Sequence, residues 1–159
     1  MSSLMVNFTA RPLEIDDALQ LSSMLLTQSP DYARFFTPFD FDYSSILRLL
    51  TEQGKDIFMG MYRDDRLIGF FMLRGWNDGY QIPSYGVLVD EKYSGYGLTR
   101  LSLKLAKSIC KLRHVPRLML KVCPDNIIAK RIFEEAGFAL TGVDAPTGNL
   151  IYHFDINHR

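Results

Sequence analysis

Between residues 85 and 143 the apolar positions alternate between short runs and helical spacing. Tyr85-Gly86-Val87-Leu88-Val89-Asp90 is an apolar run of strand length. From Leu98 to Cys110 the apolar residues Leu98, Leu101, Leu105 and Ile109 follow helical spacing, which predicts a helix with one apolar face. Val115 to Val122 reads as a second strand, ended by Cys123-Pro124-Asp125-Asn126. Ile127 to Ala136 predicts another helix, with Ile128, Ile132 and Phe133 on its apolar face and Gly137 as the residue that closes it. Phe138 to Val143 is a further strand.

The turn between the first strand and the first helix carries the clearest chemistry. Lys92-Tyr93-Ser94-Gly95-Tyr96-Gly97 links them and leads into Leu98. A helix start offers backbone N–H groups without intrahelical partners and the positive end of the helix dipole, so an anion, most naturally a phosphate, is favoured there. Glycine permits positive φ and close approach of a ligand to the backbone. The loop is not a P-loop, because no Gly-Lys-Ser/Thr follows. It is a poor dinucleotide fingerprint, because a third glycine and a well-spaced ribose-binding acid are missing.

Lys92-x-x-Gly95-x-Gly97, followed by Asn126-x-x-Ala129-x-x-x-Phe133-x-x-x-Gly137-Phe138, resembles the GCN5-related N-acetyltransferase (GNAT) superfamily. Three positions depart from its pattern. Lys92 stands where Gln or Arg is usual, Ser94 where Arg is common, and Phe133 where Tyr is frequent. The resemblance covers nearly the whole chain. Phe8 to Leu13 and Glu14 to Ala18 look like the family's first strand and first helix. Asp56 to Arg63, a turn at Asp64-Asp65, and Arg66 to Arg74 look like its central hairpin, with Gly69 where a glycine is often found. The implied fold is α/β, one domain over residues 1–159. It has a mixed, mostly antiparallel sheet flanked by helices on both faces, with strands four and five splayed. The last two strands are expected at Phe138 to Asp144 and Leu150 to Ile156, joined by a turn containing Pro146 and Gly148.

Composition narrows the partners. The chain has 159 residues, enough for one domain with a sizeable core, and is 47% hydrophobic, which excludes general disorder. Its 18 basic and 18 acidic side chains balance, which argues against nucleic acid as the main partner. No apolar run is long enough to cross a bilayer, and the N-terminus lacks a secretory pattern. Cys110 and Cys123 read as reduced thiols of a cytoplasmic protein. His114, His153 and His158 form no metal-ligand spacing with them, so no metal is expected.

The resemblance implies acetyl-CoA as cofactor and acetyl transfer to a primary amine. Backbone groups of Val87, Leu88 and Val89 are then expected to hold the pantetheine arm. Lys92, Tyr93, Ser94, Gly95, Tyr96, Gly97 and Leu98 are expected around the pyrophosphate, with Asn126 and Phe133 beside the arm. The family's usual Tyr donates a proton to the departing thiolate; Phe133 has none to give. Asp78 and Tyr85 are the candidates for the catalytic base. Asp78 lies in Arg74 to Tyr85, which holds the only Trp and several polar side chains and is read as an acceptor element. The aromatic-rich stretch from Gln28 to Tyr43 is either packing over the core or a wall of the acceptor site. The favoured acceptor is a small molecule such as an amino sugar on a nucleotide. A protein amine, or a non-catalytic acyl-CoA-binding module on the same fold, are the alternatives. A homodimer is the further partner expected.

Overall fold

The computed structural model describes residues 5–156. Residues 1–4 and 157–159, His158 among them, lie outside the described residues. The strands are β1 (Phe8–Pro12), β2 (Ile57–Arg63), β3 (Arg66–Arg74), β4 (Ser84–Val89), β5 (Arg117–Val122), β6 (Ala139–Val143) and β7 (Leu150–Asp155). The helices are α1 (Ala18–Leu26), the single-turn α2 (Pro30–Ala33), α3 (Tyr43–Thr51), α4 (Leu98–Leu112) and α5 (Ile127–Glu135). The strands form one seven-stranded mixed sheet in the order β1-β2-β3-β4-β5-β7-β6. β1–β2, β5–β7 and β6–β7 are antiparallel. β4 and β5 are parallel and paired at Ser84 opposite Met119, where the Met119 N–H also donates to the Pro83 carbonyl at 3.1 Å. This matches the expected α/β class.

Two compact units can be described, Met1–Met72 with Val87–Leu98, and Leu73–Gly86 with Thr99–Arg159. The core of the first is built by α1 and α3 over β2 and β3. Leu13, Leu21, Ile46, Phe58 and Phe70 are all essentially inaccessible, and burying each such side chain contributes roughly 1.5–3 kcal/mol. Phe36, Phe39 and Phe41 close this core: Phe36 stacks on Phe41 at 6.0 Å and meets Phe70 edge-on at 5.7 Å. The aromatic stretch is therefore packing for these three rings. A smaller cluster joins Met61, Ile68 and Val89 to Val87, Tyr93 and Leu98.

Two details of the second unit differ from the sequence reading. In α4 the buried residues are Ser102, Leu103, Ala106 and Cys110, while Leu101 is exposed. The helix is rotated from the face expected of its leucines. Small side chains at Ser102, Ala106 and Cys110, four residues apart, turn inward beside Leu103. In α5 only Phe133 is buried, and Ile128 is 77% exposed. This helix is set by its ends rather than by an apolar stripe. The Asn126 side chain accepts the Ala129 N–H at 3.3 Å, and Gly137, at φ 94°, ends the helix as expected.

Candidate active site

In the first unit, β4 runs into a single 3-10 turn, Glu91–Tyr93, that starts the loop. The Asp90 carboxylate caps this turn by accepting the Lys92 N–H at 3.1 Å. Ser94 closes it, its Oγ donating to the Glu91 carbonyl at 2.9 Å. Gly95 and Gly97 then take φ values of +84° and +79°, in the left-handed region. A Cβ built on either would meet no protein atom within 4 Å. The backbone conformation therefore favours glycine at both positions, and the space beside them is open. The amides of Gly95, Gly97 and Leu98 stand ahead of the first intrahelical bond of α4, where a helix start directs unpaired donors. Lys92 and Tyr96 are exposed, and the Tyr96 ring rests against Tyr93 at 5.5 Å. An open, glycine-lined helix start of this kind suits a pyrophosphate.

The end of β4 is held from an unexpected direction. The Tyr32 hydroxyl donates to the Val89 carbonyl at 2.6 Å. The Gln28 side-chain oxygen accepts the Glu91 N–H at 2.7 Å, while its nitrogen donates to the Met24 carbonyl at 2.9 Å. Ser29 Oγ donates to the Glu91 carboxylate at 2.8 Å and accepts the Tyr32 N–H at 3.3 Å. These residues are 57 to 63 positions from their partners on β4 and the turn. No local pattern in the sequence could have found them.

In the second unit, Tyr85 is buried and its hydroxyl is bonded to Ser102 Oγ. Ser102 in turn donates to the Thr99 carbonyl at 2.8 Å, so the phenol is the donor in this pair. Burial pushes the Tyr85 phenol well above its usual range. Tyr85 is thus a protonated donor at neutral pH. The Tyr85 ring meets Phe133 edge-on at 6.2 Å, and Phe133 rests on Phe138 at 6.3 Å. Ser102 was not singled out from sequence; a serine on a leucine-rich helix gives no signal until its rotation is known.

The structure does not bring Asp78 and Tyr85 together by a hydrogen bond between their side chains. Asp78 is exposed on the 3-10 turn Trp76–Asp78. That turn is shaped by Gly75 and Gly79 at φ 129° and 88°, with the N–H groups of Asp78 and Tyr80 both donating to the Gly75 carbonyl. Trp76 is half-buried under the Arg113 guanidinium, which lies 4.4 Å from its ring centre. Asn126 serves as the N-cap of α5. Among the described residues no helix is long and apolar enough to cross a membrane, and no group of three His, Cys, Asp or Glu side chains is placed to hold a metal ion.

Comparisons with known proteins identify the family and the fold. The model of the acetyltransferase (GNAT) family matches residues 21–138. The chain belongs to that family: it is an acetyltransferase, and its acyl donor is acetyl-CoA. Among solved structures it resembles the PaiA N-acetyltransferase of Thermoplasma acidophilum in complex with coenzyme A. The two share 16% identity and a TM-score of 0.78, over 94% of this chain and 99% of that one. It also resembles the spermidine N-acetyltransferase of Vibrio cholerae in complex with CoA and spermine, with 15% identity and a TM-score of 0.78 over 94% and 95% of the two chains. A third likeness is to the ribosomal-protein-S5-alanine acetyltransferase of Vibrio fischeri, with 14% identity and a TM-score of 0.78 over 94% and 93%. No curated protein matches the chain by sequence.

Proposed function

We propose that the chain, acting as one domain, transfers the acetyl group of acetyl-CoA to a primary amine of a small molecule, with an amino sugar on a nucleotide as the favoured class. The observation that carries the cofactor side is the pair of left-handed glycines, Gly95 and Gly97, opening α4 beside free space. The amides of Gly95, Gly97 and Leu98 bind the pyrophosphate, and the backbone of Val87, Leu88 and Val89 orients the arm. Acetyl-CoA supplies the activated acyl group when bound. The chain's own part is to place the amine, keep it neutral and exclude water. A protein amine is the second acceptor class, supported by the likeness to a protein-acetylating enzyme, while the likeness to a polyamine-acetylating one supports the small-molecule class. A second copy of the chain as partner and a cytoplasmic location belong to the same proposal. Thiol release measured across a panel of small amines and amine-bearing peptides tests it. Turnover with peptides alone, or acetyl-CoA binding without release for every amine, overturns the small-molecule reading.

Asp78 and Trp76 belong to the acceptor side in this reading. Trp76→Ala and Asp78→Ala should raise the acceptor KM by about tenfold or more, the scale of losing one buried or charged contact, and leave acetyl-CoA affinity unchanged. Full turnover and acceptor affinity in both variants would make the segment a connection only.

Phe133 has no proton to give a departing thiolate, and the nearby phenol of Tyr85 is engaged with Ser102. Phe133→Tyr should keep acetyl-CoA affinity and raise turnover by roughly two- to tenfold, well below the ~10²–10⁴ of an evolved general acid. The ring is buried, so a hydroxyl that finds no partner lowers stability by about 1–3 kcal/mol. Thermal melting beside single-turnover rates separates these effects. A loss of turnover with intact binding would mean that the apolar ring itself is needed.

A further inference from the structure

We propose that Tyr32 is a positioning residue for the acyl-CoA arm, acting through the carbonyl of Val89. This rests on the reading that the Val87–Val89 backbone orients that arm. The peptide group joining Val89 to Asp90 is held at both ends. Its oxygen accepts the Tyr32 hydroxyl at 2.6 Å, and its N–H donates to the Ile68 carbonyl at 2.8 Å. The next peptide is held as well, with the Glu91 N–H on the Gln28 side chain at 2.7 Å. Two successive peptide planes at the end of β4 are therefore fixed, one by the neighbouring strand β3 and both by the segment that follows α1. Ser29 makes that segment rigid in turn, because its one hydroxyl caps α2 and also bonds the Glu91 carboxylate.

The Val89 carbonyl points away from β3, because the N–H of the same trans peptide donates to that strand. Left loose, that carbonyl would have to be ordered by the ligand, at the expense of affinity. A phenol is well suited to the task. It is stiff, it reaches across from another element, and it uses one lone pair of the carbonyl while leaving the second free. Burial, with Glu91 and Asp90 nearby, pushes the Tyr32 phenol above its usual range, so it is a donor at neutral pH. The segment from Gln28 to Tyr32 is thereby distinct from Phe36, Phe39 and Phe41, which pack against the core.

The test separates the arm of the cofactor from its nucleotide. Tyr32→Phe and wild type are titrated by calorimetry with acetyl-CoA and with 3′-phosphoadenosine 5′-diphosphate, the nucleotide half that lacks the arm. Tyr32→Phe should bind acetyl-CoA about fivefold more weakly, the size of one neutral hydrogen bond, and bind the nucleotide as wild type does. Unchanged acetyl-CoA affinity overturns the inference. An equal loss for both ligands also overturns it, because that is the mark of general loosening. Should Tyr32→Phe fail to fold, Ser29→Ala carries the same test, with the same split expected at roughly two- to threefold. Gly97→Asp, run in parallel, reads the parent assignment. If it binds both ligands normally, the cofactor reading itself falls; if it loses both while Tyr32→Phe loses neither, only the role of Tyr32 does.

Discussion

Gly97→Asp is expected to weaken acetyl-CoA binding by about a thousandfold in a protein that still folds. The position has φ +79°, and a Cβ there meets no protein atom within 4 Å. Aspartate is among the side chains that tolerate this conformation, so the strain is about 1–2 kcal/mol at most. The carboxylate, however, stands where the helix start presents its donors. Two unit charges about 4 Å apart repel by roughly 4 kcal/mol at an effective dielectric of 20, which is three powers of ten in affinity. Gly97→Ala adds the strain and the Cβ without the charge and should lie between, at about tenfold. Lys92→Ala should cost only a few-fold, because its ammonium is exposed and a solvated point charge adds little beside oriented backbone donors. Calorimetry gives the affinities and circular dichroism checks the fold. Normal binding in a folded Gly97→Asp would remove the loop from the site.

The second large effect lies outside the loop, at the turn joining β1 to α1. Asp17 is buried, and its carboxylate accepts both guanidinium nitrogens of Arg11 at 2.9 Å and the Glu14 N–H at 2.7 Å. Arg11 also lies over the Tyr62 ring, 4.3 Å from its centre. Asp17→Ala takes the acceptor from the part-buried Glu14 N–H and frees the guanidinium. Because the Arg11 side chain is 42% exposed it can turn to water, so the loss is put at about 2–3 kcal/mol rather than the 3–5 of a fully buried pair. The melting temperature should fall by roughly 4–12 °C. The Arg11 bonds hold the Asp17 carboxyl below its ordinary range. Its stabilising contribution is therefore complete above the unfolded carboxylate pKa of about 4 and is lost as pH falls below it. The difference in melting temperature between wild type and Asp17→Ala should shrink in acid. Tyr62→Phe is the contrast, because the buried Tyr62 hydroxyl, though close to Asp17, makes no well-aligned hydrogen bond among the described residues. Removing it should change stability little or raise it. A melting temperature for Asp17→Ala within a degree of wild type would show that the pair is ornamental.

The elements that the sequence announced are those with local punctuation. Gly95 and Gly97 mark a helix start, Asn126 and Gly137 bracket α5, and Asp64-Asp65 ends one strand of the hairpin before the next; each signal is read within a few residues. What failed was the inference of which face is buried. Leu101 drew attention because it is large, yet the helix buries Ser102, Ala106 and Cys110, because close approach rewards small side chains where helix and sheet meet. Ile128 fits an apolar stripe by spacing but stands in solvent. Bonds such as Tyr32 to Val89 join segments 57 residues apart and leave no trace in periodicity. The pairing of Tyr85 with Ser102 was hidden for the same reason. It changes the chemistry expected of Tyr85, since a buried phenol spending its proton on a serine is not poised to accept another.

The inward turn of Cys110 has a practical outcome. Burial pushes its thiol up to about 11. Since only the thiolate attacks a disulfide reagent, about one molecule in a thousand would be ionised at pH 8 even if the reagent could reach it. Cys123 is half-buried and is the thiol within reach. Ellman's reagent should therefore label the native chain at Cys123 alone, so that a Cys123→Ser variant gives a silent background for counting liberated CoA. In that variant, slow labelling of Cys110 becomes a stopwatch for the parting of α4 from the strands beneath it. Rapid labelling in native buffer would mean that this helix opens far more often than its packing implies.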